Sequence, residues 1–326
     1  MNEIRPRRLR NDSVIRNLTR ETRICENSLI LPLFVKDGIN IKEEITSLEG
    51  HSYYSADNIA YAIEDALVNH VKSVLLFGVP DFKDEMGSKA FAENGAVQNA
   101  VREIKSRYPE MMVITDVCLC EYTSHGHCGI IKNGKILNDE TLPYLSKIAL
   151  SHIAAGADMV APSDMMDGRV GHIRRTLDDN GFSDKPIMSY SAKYSSSFYG
   201  PFRDVANSAP AFGDRKTYQM DYHNRREAMK EAMLDIAEGA DILMVKPALS
   251  YLDVIKEIKD NTNYPICAYS VSGEYAMIKA AAKLGYMNEY DVMCESAVSI
   301  FRAGADILIS YYAKQLSEAI RKGDIG

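Results

Sequence analysis

The amino-acid sequence predicts an α/β protein, a (β/α)8 TIM barrel with an extended N-terminal arm. The first observation is a motif that occurs three times, and the second is a set of eight short apolar runs with helical patterns between them. Eight β/α units within roughly 300 residues is the number that closes such a barrel. The main alternative is a doubly wound open sheet, but no glycine-rich dinucleotide loop follows any early apolar run.

The repeated motif reads Gly-Ala-Asp and occurs in segments 153–162, 236–245 and 301–310. In each copy the glycine suits the left-handed position that ends a helix, and an apolar run follows it directly. These runs are continuously apolar rather than alternating, which is typical of strands covered on both faces in a parallel sheet.

Further segments complete the set of predicted elements. The other five strands are predicted at 29–35, 73–79, 111–119, 186–192 and 265–271. Helical patterns between the strands include 56–69, 96–108, 142–155, 224–238, 251–260 and 274–284. No linker interrupts this order, so we predict one barrel domain rather than two domains.

The composition is that of an ordinary globular protein. Hydrophobic residues make up 46% and charged residues 25% of the 326 residues, enough to bury a large core without disulfides. The net charge of −7 argues against nucleic acid as a partner, and no apolar stretch reaches the roughly 18 residues of a membrane helix. Three of the six cysteines lie within eleven residues, and in a chain without an export signal this clustering favours metal binding over disulfides, so we expect a cytoplasmic protein.

The start of the chain differs in charge from the rest. Residues 1–23 contain seven arginines and three acids, so they carry +4 and leave −11 for the remainder. The acids weigh against a transit peptide, and no apolar segment follows as in a secretory signal. We predict an arm over 1–28 that contacts a neighbouring subunit, and a catalytic barrel over 29–326. The alternative for the arm is a frayed terminus.

Reactive or polar side chains follow six successive predicted strands, where barrel enzymes build their active sites. Among them Lys246 follows a run of apolar residues, where an ammonium group is costly to bury unless it is paired or loses its proton. Desolvation lowers the pKa of a lysine and leaves a neutral amine that attacks carbonyl groups, and the neighbouring Lys193 lowers at least one pKa further. We therefore predict Schiff-base chemistry at Lys246, against the alternative of an ion-paired lysine.

Cys118, Cys120 and Cys128 form a Cys-x-Cys-x7-Cys pattern. On the predicted strand Asp116 and the first two thiols share one face, and the loop that follows returns Cys128 to them. Three thiolates suit Zn²⁺ and leave a fourth position open, the arrangement of a catalytic site. The alternatives are a closed structural zinc site completed by His125 or His127, and redox-active or inert thiols.

The polar, glycine-bearing segment 193–216, called the lid below, has the length of a loop that closes over a barrel mouth. Arg203 and Arg215 lie in it and suit bidentate binding of a carboxylate, although a single arginine is more often a surface residue. In the following helix Glu231 belongs to a face of alternating charge, which is normally solvated.

Long motifs in the chain resemble those of the porphobilinogen synthase family, also called δ-aminolevulinic acid dehydratase. Segment 116–129 is similar to the zinc segment of the family, and segment 239–251 to its active-site lysine signature. Segments 191–203, 271–277 and 5–10 match as well, so the resemblance covers essentially the whole chain.

The resemblance implies a lyase that condenses two molecules of 5-aminolevulinate to porphobilinogen with loss of two waters, in tetrapyrrole and heme biosynthesis. It assigns Lys193 and Lys246 as Schiff-base lysines, one for each substrate. By the same resemblance each of two pairs of side chains holds one substrate carboxylate: Arg203 with Arg215, and Ser272 with Tyr311.

The resemblance also implies two metals and an oligomer. A catalytic Zn²⁺ would bind Cys118, Cys120 and Cys128, with Asp116 or a zinc-bound water transferring protons. An allosteric Mg²⁺ would bind Glu231, although segment 220–224 lacks the proline expected before that helix. Family members are homo-octamers held by their N-terminal arms, which accounts for the basic extension.

Two other functions remain open on the residues alone. A class I aldolase also uses a barrel lysine, but it needs only one and no thiolate metal site. A non-catalytic assembly protein stabilised by zinc would unfold when the metal is removed.

Overall fold

Eight apolar segments form a ring of parallel strands in a computed structural model that describes residues 3–326. Almost every strand residue is buried, as expected for strands that are covered on both faces. The strands are β1 (Leu29–Lys36), β2 (Ser73–Val79), β3 (Met112–Val117), β4 (Met159–Pro162), β5 (Met188–Lys193), β6 (Ile242–Lys246), β7 (Ile266–Ser270) and β8 (Ile307–Ser310).

The strands pair with their neighbours in sequence, and β8 pairs with β1. Between β4 and β5 the ring closes through an isolated parallel bridge that joins Val160 to Ile187. The amide of Val160 also donates a hydrogen bond of 3.3 Å to the carbonyl of Pro186. The predicted eight-stranded barrel is therefore confirmed, with its weakest pairing between the fourth and fifth strands.

Helices cover the outside of the barrel and aromatic side chains fill its upper interior. Phe34 stacks on Phe77 with ring centroids 5.6 Å apart, and Tyr269 lies 6.5 Å from Phe77 across the barrel. The helices are α1 (Ser13–Leu18), α2 (Ile59–Val68), α3 (Ala96–Arg107), α4 (Asn138–Ala154), α5 (Arg169–Asp179), α6 (Gly200–Val205), α7 (Arg225–Glu238), α8 (Leu252–Asn261), α9 (Ser272–Lys283), α10 (Glu289–Ala303) and α11 (Ala313–Arg321).

The aspartate of each Gly-Ala-Asp copy fixes the start of a neighbouring strand. Asp158, Asp241 and Asp306 each accept a hydrogen bond of 2.8 Å from a backbone amide at the start of the preceding strand in the ring. The glycine two residues earlier takes a left-handed conformation, with φ of +102° at Gly239. The repeat therefore ends a helix and aligns the strand that follows it with the preceding strand of the ring.

Most predicted elements agree with the structure to within a few residues, but one strand boundary matters for function. The predicted strand 111–119 ends at Val117, so the first two cysteines of the cluster lie beyond it. The structure also contains two short antiparallel ribbons that the sequence did not reveal, one of which joins Ile130–Lys132 to Lys135–Leu137. These ribbons lie on the loops after β1 and β3, at the same end of the barrel.

The segment before β1 contains a 3-10 helix, Pro6–Arg10, and the short helix α1. Residues 1 and 2 of the predicted arm lie outside the described residues. Val14 and Leu18 are each 76% exposed, whereas Arg20 donates hydrogen bonds to the carbonyls of Gly323 and Gly326. Within residues 3–326 no helix has both the length and the apolar character needed to cross a membrane.

Candidate active site

Two lysines end adjacent strands at the same level of the barrel. Lys193 is the last residue of β5 and Lys246 the last of β6, and the two are paired in register. Their exposed fractions are only 4% and 5%. Since both side chains come from buried strands and meet at the carboxyl end of the ring, the structure brings the two predicted amines together at the barrel mouth.

Aromatic rings surround the ammonium group of Lys246. Its Nζ lies 4.3 Å from the ring centroid of Tyr269, 5.0 Å from that of Tyr190, and 5.2 Å from that of Phe202. Burial among these rings, together with the charge of Lys193, lowers the pKa of Lys246 to about 7. A substantial fraction of this lysine is therefore a neutral amine near neutral pH.

Lys193 shares one of these rings, since its Nζ lies 5.4 Å from the ring centroid of Tyr190, but its other contacts are polar. Its Nζ donates a hydrogen bond to the carbonyl oxygen of Ser163, which follows β4. Burial acts to lower the pKa of Lys193, but nearby negative charge, above all that of the Cys128 thiolate, outweighs burial and holds the pKa above its usual value. The two lysines therefore differ in protonation although they occupy equivalent strand ends.

The three predicted cysteines form a compact cluster beside Lys193. The sulfur atoms of Cys118, Cys120 and Cys128 all lie within 4.8 Å of one another, and all three side chains are buried. The Sγ atoms of Cys118 and Cys120 are 3.4 Å apart. Side chains two residues apart on an extended strand would be separated by about 6.6 Å.

The expectation that Cys118 and Cys120 share the face of a strand is therefore wrong. The chain turns immediately after β3, and the carbonyl of Leu119 accepts hydrogen bonds from the amides of Tyr122 and Thr123. This turn brings the two thiols closer than a strand would. The three thiols nevertheless converge closely enough to hold a metal ion, and the ligand set stays a prediction.

The two histidines of the cysteine segment are engaged elsewhere. His127 forms hydrogen bonds from Nδ1 to the hydroxyl of Tyr218, at 3.1 Å, and from Nε2 to the carbonyl of Phe212, at 2.9 Å. His125 Nδ1 accepts from the amide of His127. Within residues 3–326 the metal-ligand group comprises the three cysteines alone, which favours the open site over the closed one.

Asp116 lies on β3 at the edge of the cluster. Its Oδ2 accepts a hydrogen bond of 3.0 Å from the hydroxyl of Ser163, while its Oδ1 is buried without a hydrogen-bond partner among the described residues. Burial, together with the charge of Glu121, raises the pKa of Asp116 to about 8. Asp116 and Lys193 thus meet at Ser163, which contacts the first through its hydroxyl and the second through its carbonyl.

The lid covers the barrel mouth. Its helix α6 carries Phe202, whose backbone amide donates a hydrogen bond of 3.0 Å to the hydroxyl of Ser272 at the start of α9. Tyr311 is buried beyond β8, and its hydroxyl lies 3.4 Å from that of Tyr269. The predicted residues Ser272 and Tyr311 therefore flank the aromatic side of the mouth, next to Lys246.

Arg203 and Arg215 converge within the lid. Arg215 is buried and its Nη2 donates a hydrogen bond of 2.8 Å to the carbonyl of Gly126. Burial lowers the pKa of Arg203, and the positive charge of Arg215 lowers it further. Among the described residues the Nε atoms of both arginines are buried without a hydrogen-bond partner.

Glu231 is separate from this mouth. It lies half-buried on α7 and lines a cavity of about 270 Å³ together with Asp167 and Glu227. Burial raises the pKa of Glu231, although the charge of Arg169 opposes the effect. The expectation of a fully solvated helix face therefore does not hold for this residue.

Sequence reasoning missed the rings around Lys246. Tyr190 and Tyr269 lie within strands, where an aromatic residue in an apolar run carries the same signal as a core residue. Ser163 follows a strand, but its contact with Lys193 uses the backbone carbonyl, which leaves no trace in the residue type.

The fold and the site define a barrel enzyme that places two buried amines beside a cluster of three thiols that could hold a metal ion. The chain belongs to the delta-aminolevulinic acid dehydratase family, because the sequence model of that family matches residues 3–319. Enzymes of this family are metal-dependent lyases. The predicted family, its porphobilinogen synthase activity and the place of that activity in heme biosynthesis are confirmed.

Relatives from distant organisms support this assignment. The chain is 55% identical to the delta-aminolevulinic acid dehydratase of Methanothermus sociabilis, covering 97% of this chain and 98% of the relative. It is 51% identical to that of Halalkalibacterium halodurans, covering 96% and 95%. A solved structure, the Toxoplasma gondii ME49 enzyme in complex with the reaction product porphobilinogen, superposes with a TM-score of 0.94 at 45% identity, covering 97% and 91%.

Proposed function

We propose that this chain condenses two molecules of 5-aminolevulinate to porphobilinogen through two Schiff bases, one on Lys193 and one on Lys246. The observation that carries the proposal is the register pairing of two buried lysines at one barrel mouth. Each keto group is attacked by a neutral amine, and each imine forms with loss of one water. A single-lysine aldolase mechanism would leave the second amine without a role.

The different surroundings of the lysines support different tasks. Lys246, with a pKa of about 7, has a neutral amine available without help from a base. Lys193 contacts the Ser163 carbonyl and lies close to Asp116 and the thiols, so its proton has acceptors nearby. Asp116 is the proposed proton carrier because its Oδ1 is buried without a partner among the described residues.

Arg203 and Arg215 are the proposed binding site for one substrate carboxylate. The positive charge of Arg215 lowers the pKa of Arg203, so an anion placed between the two guanidinium groups would be stabilised by both. Their Nε atoms provide donors that have no partner among the residues the structure describes. Ser272 and Tyr311, which flank the aromatic side of the mouth next to Lys246, are proposed to hold the carboxylate of the other substrate.

The proposed metal is Zn²⁺ on Cys118, Cys120 and Cys128. Three converging thiols are the soft donors that zinc prefers, and both nearby histidines have other partners. Bound there, zinc would supply a fixed positive charge that polarises a substrate carbonyl or orients its amine. The residues of the chain itself bind, orient and exchange protons with the substrates around it.

Three further properties extend this proposal. An allosteric Mg²⁺ at Glu231 is supported by the carboxylates of Asp167 and Glu227 in the same cavity, since oxygen donors suit this ion. We also propose a homo-octamer in which the arm, residues 1–28, contacts neighbouring barrels formed by residues 29–326. The exposed apolar side chains of Val14 and Leu18 support this contact. A cytoplasmic location completes the proposal.

Trapping of the imines tests the proposed chemistry. Borohydride added to the zinc-loaded enzyme during turnover of 5-aminolevulinate should attach substrate irreversibly to Lys193 and Lys246, detected by peptide mass. The exposed Lys230 on α7 provides an internal control and should stay unmodified. If folded, zinc-loaded protein makes porphobilinogen while both active-site lysines remain unlabelled, the Schiff-base mechanism is wrong.

A further inference from the structure

The lid is closed over the lysines in this structure. Phe202 of α6 lies between Lys246 and the outside, and the start of the lid helix packs tightly on α9. A Cβ atom added at Gly273 would lie 2.4 Å from the carbonyl oxygen of Phe198. Substrates therefore need the lid to move, and the contacts that hold it closed control access to the site.

One set of contacts lies at the end of α6. The last carbonyls of a helix have no amide partner within the helix, and here Asn207, with a φ of +46°, turns the chain away. Four successive carbonyls, called the lid-end carbonyls, instead accept hydrogen bonds from side chains. They belong to Val205, Ala206, Asn207 and Ser208.

The donors come from three different loops. Tyr53, after β1, donates from its hydroxyl to the first carbonyl at 2.8 Å. Lys83, after β2, donates from its Nζ to the second and third, at 3.0 and 2.7 Å. Arg215, within the lid, donates to the fourth. The lid end is thus fixed both to the barrel and to one of the proposed carboxylate-binding arginines.

Lys83 is distinctive among these donors because it makes two of the four contacts. Lys89, in the same loop, forms ion pairs with Asp81 at 2.8 Å and Asp37 at 3.5 Å. The ammonium of Lys83 instead donates to two uncharged carbonyls while half-buried, and burial lowers its pKa. Burying an ammonium group is costly unless the group is hydrogen-bonded. Lys83 therefore stabilises the position of the lid in which both carbonyls accept its hydrogen bonds.

We propose that Lys83 is a positioning residue that holds the lid closed and thereby presents Arg203 and Arg215 to the substrate carboxylate. The proposal rests on the proposed function, since it concerns how the same barrel mouth closes. Lys83 acts through the lid backbone and touches no reacting atom. In this structure, where the lid covers the barrel, the two hydrogen bonds of Lys83 join the loop after β2 to the end of the lid helix.

Hydrogen exchange of the lid amides measures this role directly. The full-length, zinc-loaded enzyme is compared as wild type, Lys83→Met, Lys83→Arg and the matched control Lys89→Met. Loss of two hydrogen bonds from a charged donor predicts that lid amides exchange about tenfold faster or more in Lys83→Met. Exchange in the barrel strands and the thermal midpoint should stay unchanged, and Lys83→Arg should recover part of the protection.

Steady-state kinetics then connect the lid to the reaction. Lys83→Met should raise KM for 5-aminolevulinate and lower kcat/KM by about tenfold, because part of the binding energy must close the lid. Wild-type lid exchange in folded Lys83→Met, or equal acceleration in Lys89→Met, would overturn the proposal. A loosened lid with unchanged KM would overturn the positioning role as well. Exchange is measured without substrate, so its outcome is independent of whether the chain makes porphobilinogen.

Discussion

The surroundings of the two lysines differ strongly between the two sides of the barrel mouth, although the strands that carry them are equivalent. Lys193 and Lys246 are register partners with almost equal exposure. On one side Lys193 lies among thiols and a carboxyl group, which hold its pKa above the usual value. On the other side Lys246 lies among aromatic rings, where burial lowers its pKa to about 7. The fold supplies equivalent positions, and neighbouring loops make them chemically different.

This difference explains how one barrel can bind two molecules of the same substrate at two chemically different positions. An aromatic surrounding favours the neutral form of an amine, whereas thiolates and carboxylates stabilise its charged form. The aromatic rings come from strands and the lid, and the thiols come from the turn after β3. The two binding positions can therefore be changed separately, which is the basis of the following predictions.

The largest expected effect is the loss of either lysine. Lys246→Met and Lys193→Met keep the length of the side chain but remove the amine, and each should lower turnover by at least about a thousandfold. Each variant should still form a borohydride-stable adduct on the lysine that remains, because each amine holds its own substrate. Turnover and peptide mass measure the two outcomes.

The exposed Lys230→Met serves as the control for these variants and should keep wild-type turnover. Substantial turnover in Lys193→Met would contradict the requirement for two Schiff-base lysines, since one amine would then suffice as in an aldolase. Loss of both adducts in either variant would mean that the two lysines act as one site.

Removal of the metal should affect the thiol side alone. Chelation, or the variant Cys128→Ser, should lower porphobilinogen formation by about a hundredfold or more while the helix signal in circular dichroism stays nearly unchanged. The exposed Cys25→Ser should behave as wild type. Restoration by Zn²⁺ but not by Mg²⁺ would identify the metal, and unfolding on chelation would favour the zinc-stabilised assembly protein instead.

The sequence predicted the parts of this site that carry unusual residue types at regular positions. Lys193 and Lys246 were found because charged residues at the ends of apolar strands are rare without a function, and the three cysteines because of their spacing. Glycine and aspartate in the repeat located three strands. These signals survive in a single sequence because each depends on local chemistry.

The remaining parts depend on long-range packing or on the backbone. Tyr190 and Tyr269 look like core residues until the barrel brings them around Lys246. The turn that brings Cys118 to Cys120 was predicted as strand, because the apolar run gives no sign of where it ends. Lys83 binds backbone carbonyls far along the chain, and carbonyls leave no pattern in the residue types.

The smallest predicted effect concerns the pH dependence on the aromatic side. Because only the neutral amine of Lys246 attacks a carbonyl and its pKa is about 7, kcat/KM should rise with pH up to about pH 7 and then level off. Phe202→Ala should admit water to Lys246, weaken the desolvation that lowers its pKa, and move this rise upward by about one pH unit. Rates measured from about pH 5.5 to about pH 9 would locate the rise.

Phe202→Leu is the matched control, since leucine keeps an apolar cover over Lys246 and should leave the rise near its wild-type position. The amide of residue 202 still donates to Ser272 in both variants, so the lid contact at α9 is retained. A shift of equal size in both variants would show that ring contact, rather than exclusion of water, sets the pKa of Lys246. If kcat/KM rises at the same pH in Phe202→Ala as in the wild type, another group is responsible for the pH dependence. The proposed difference in pKa between Lys246 and Lys193 would then lose its support.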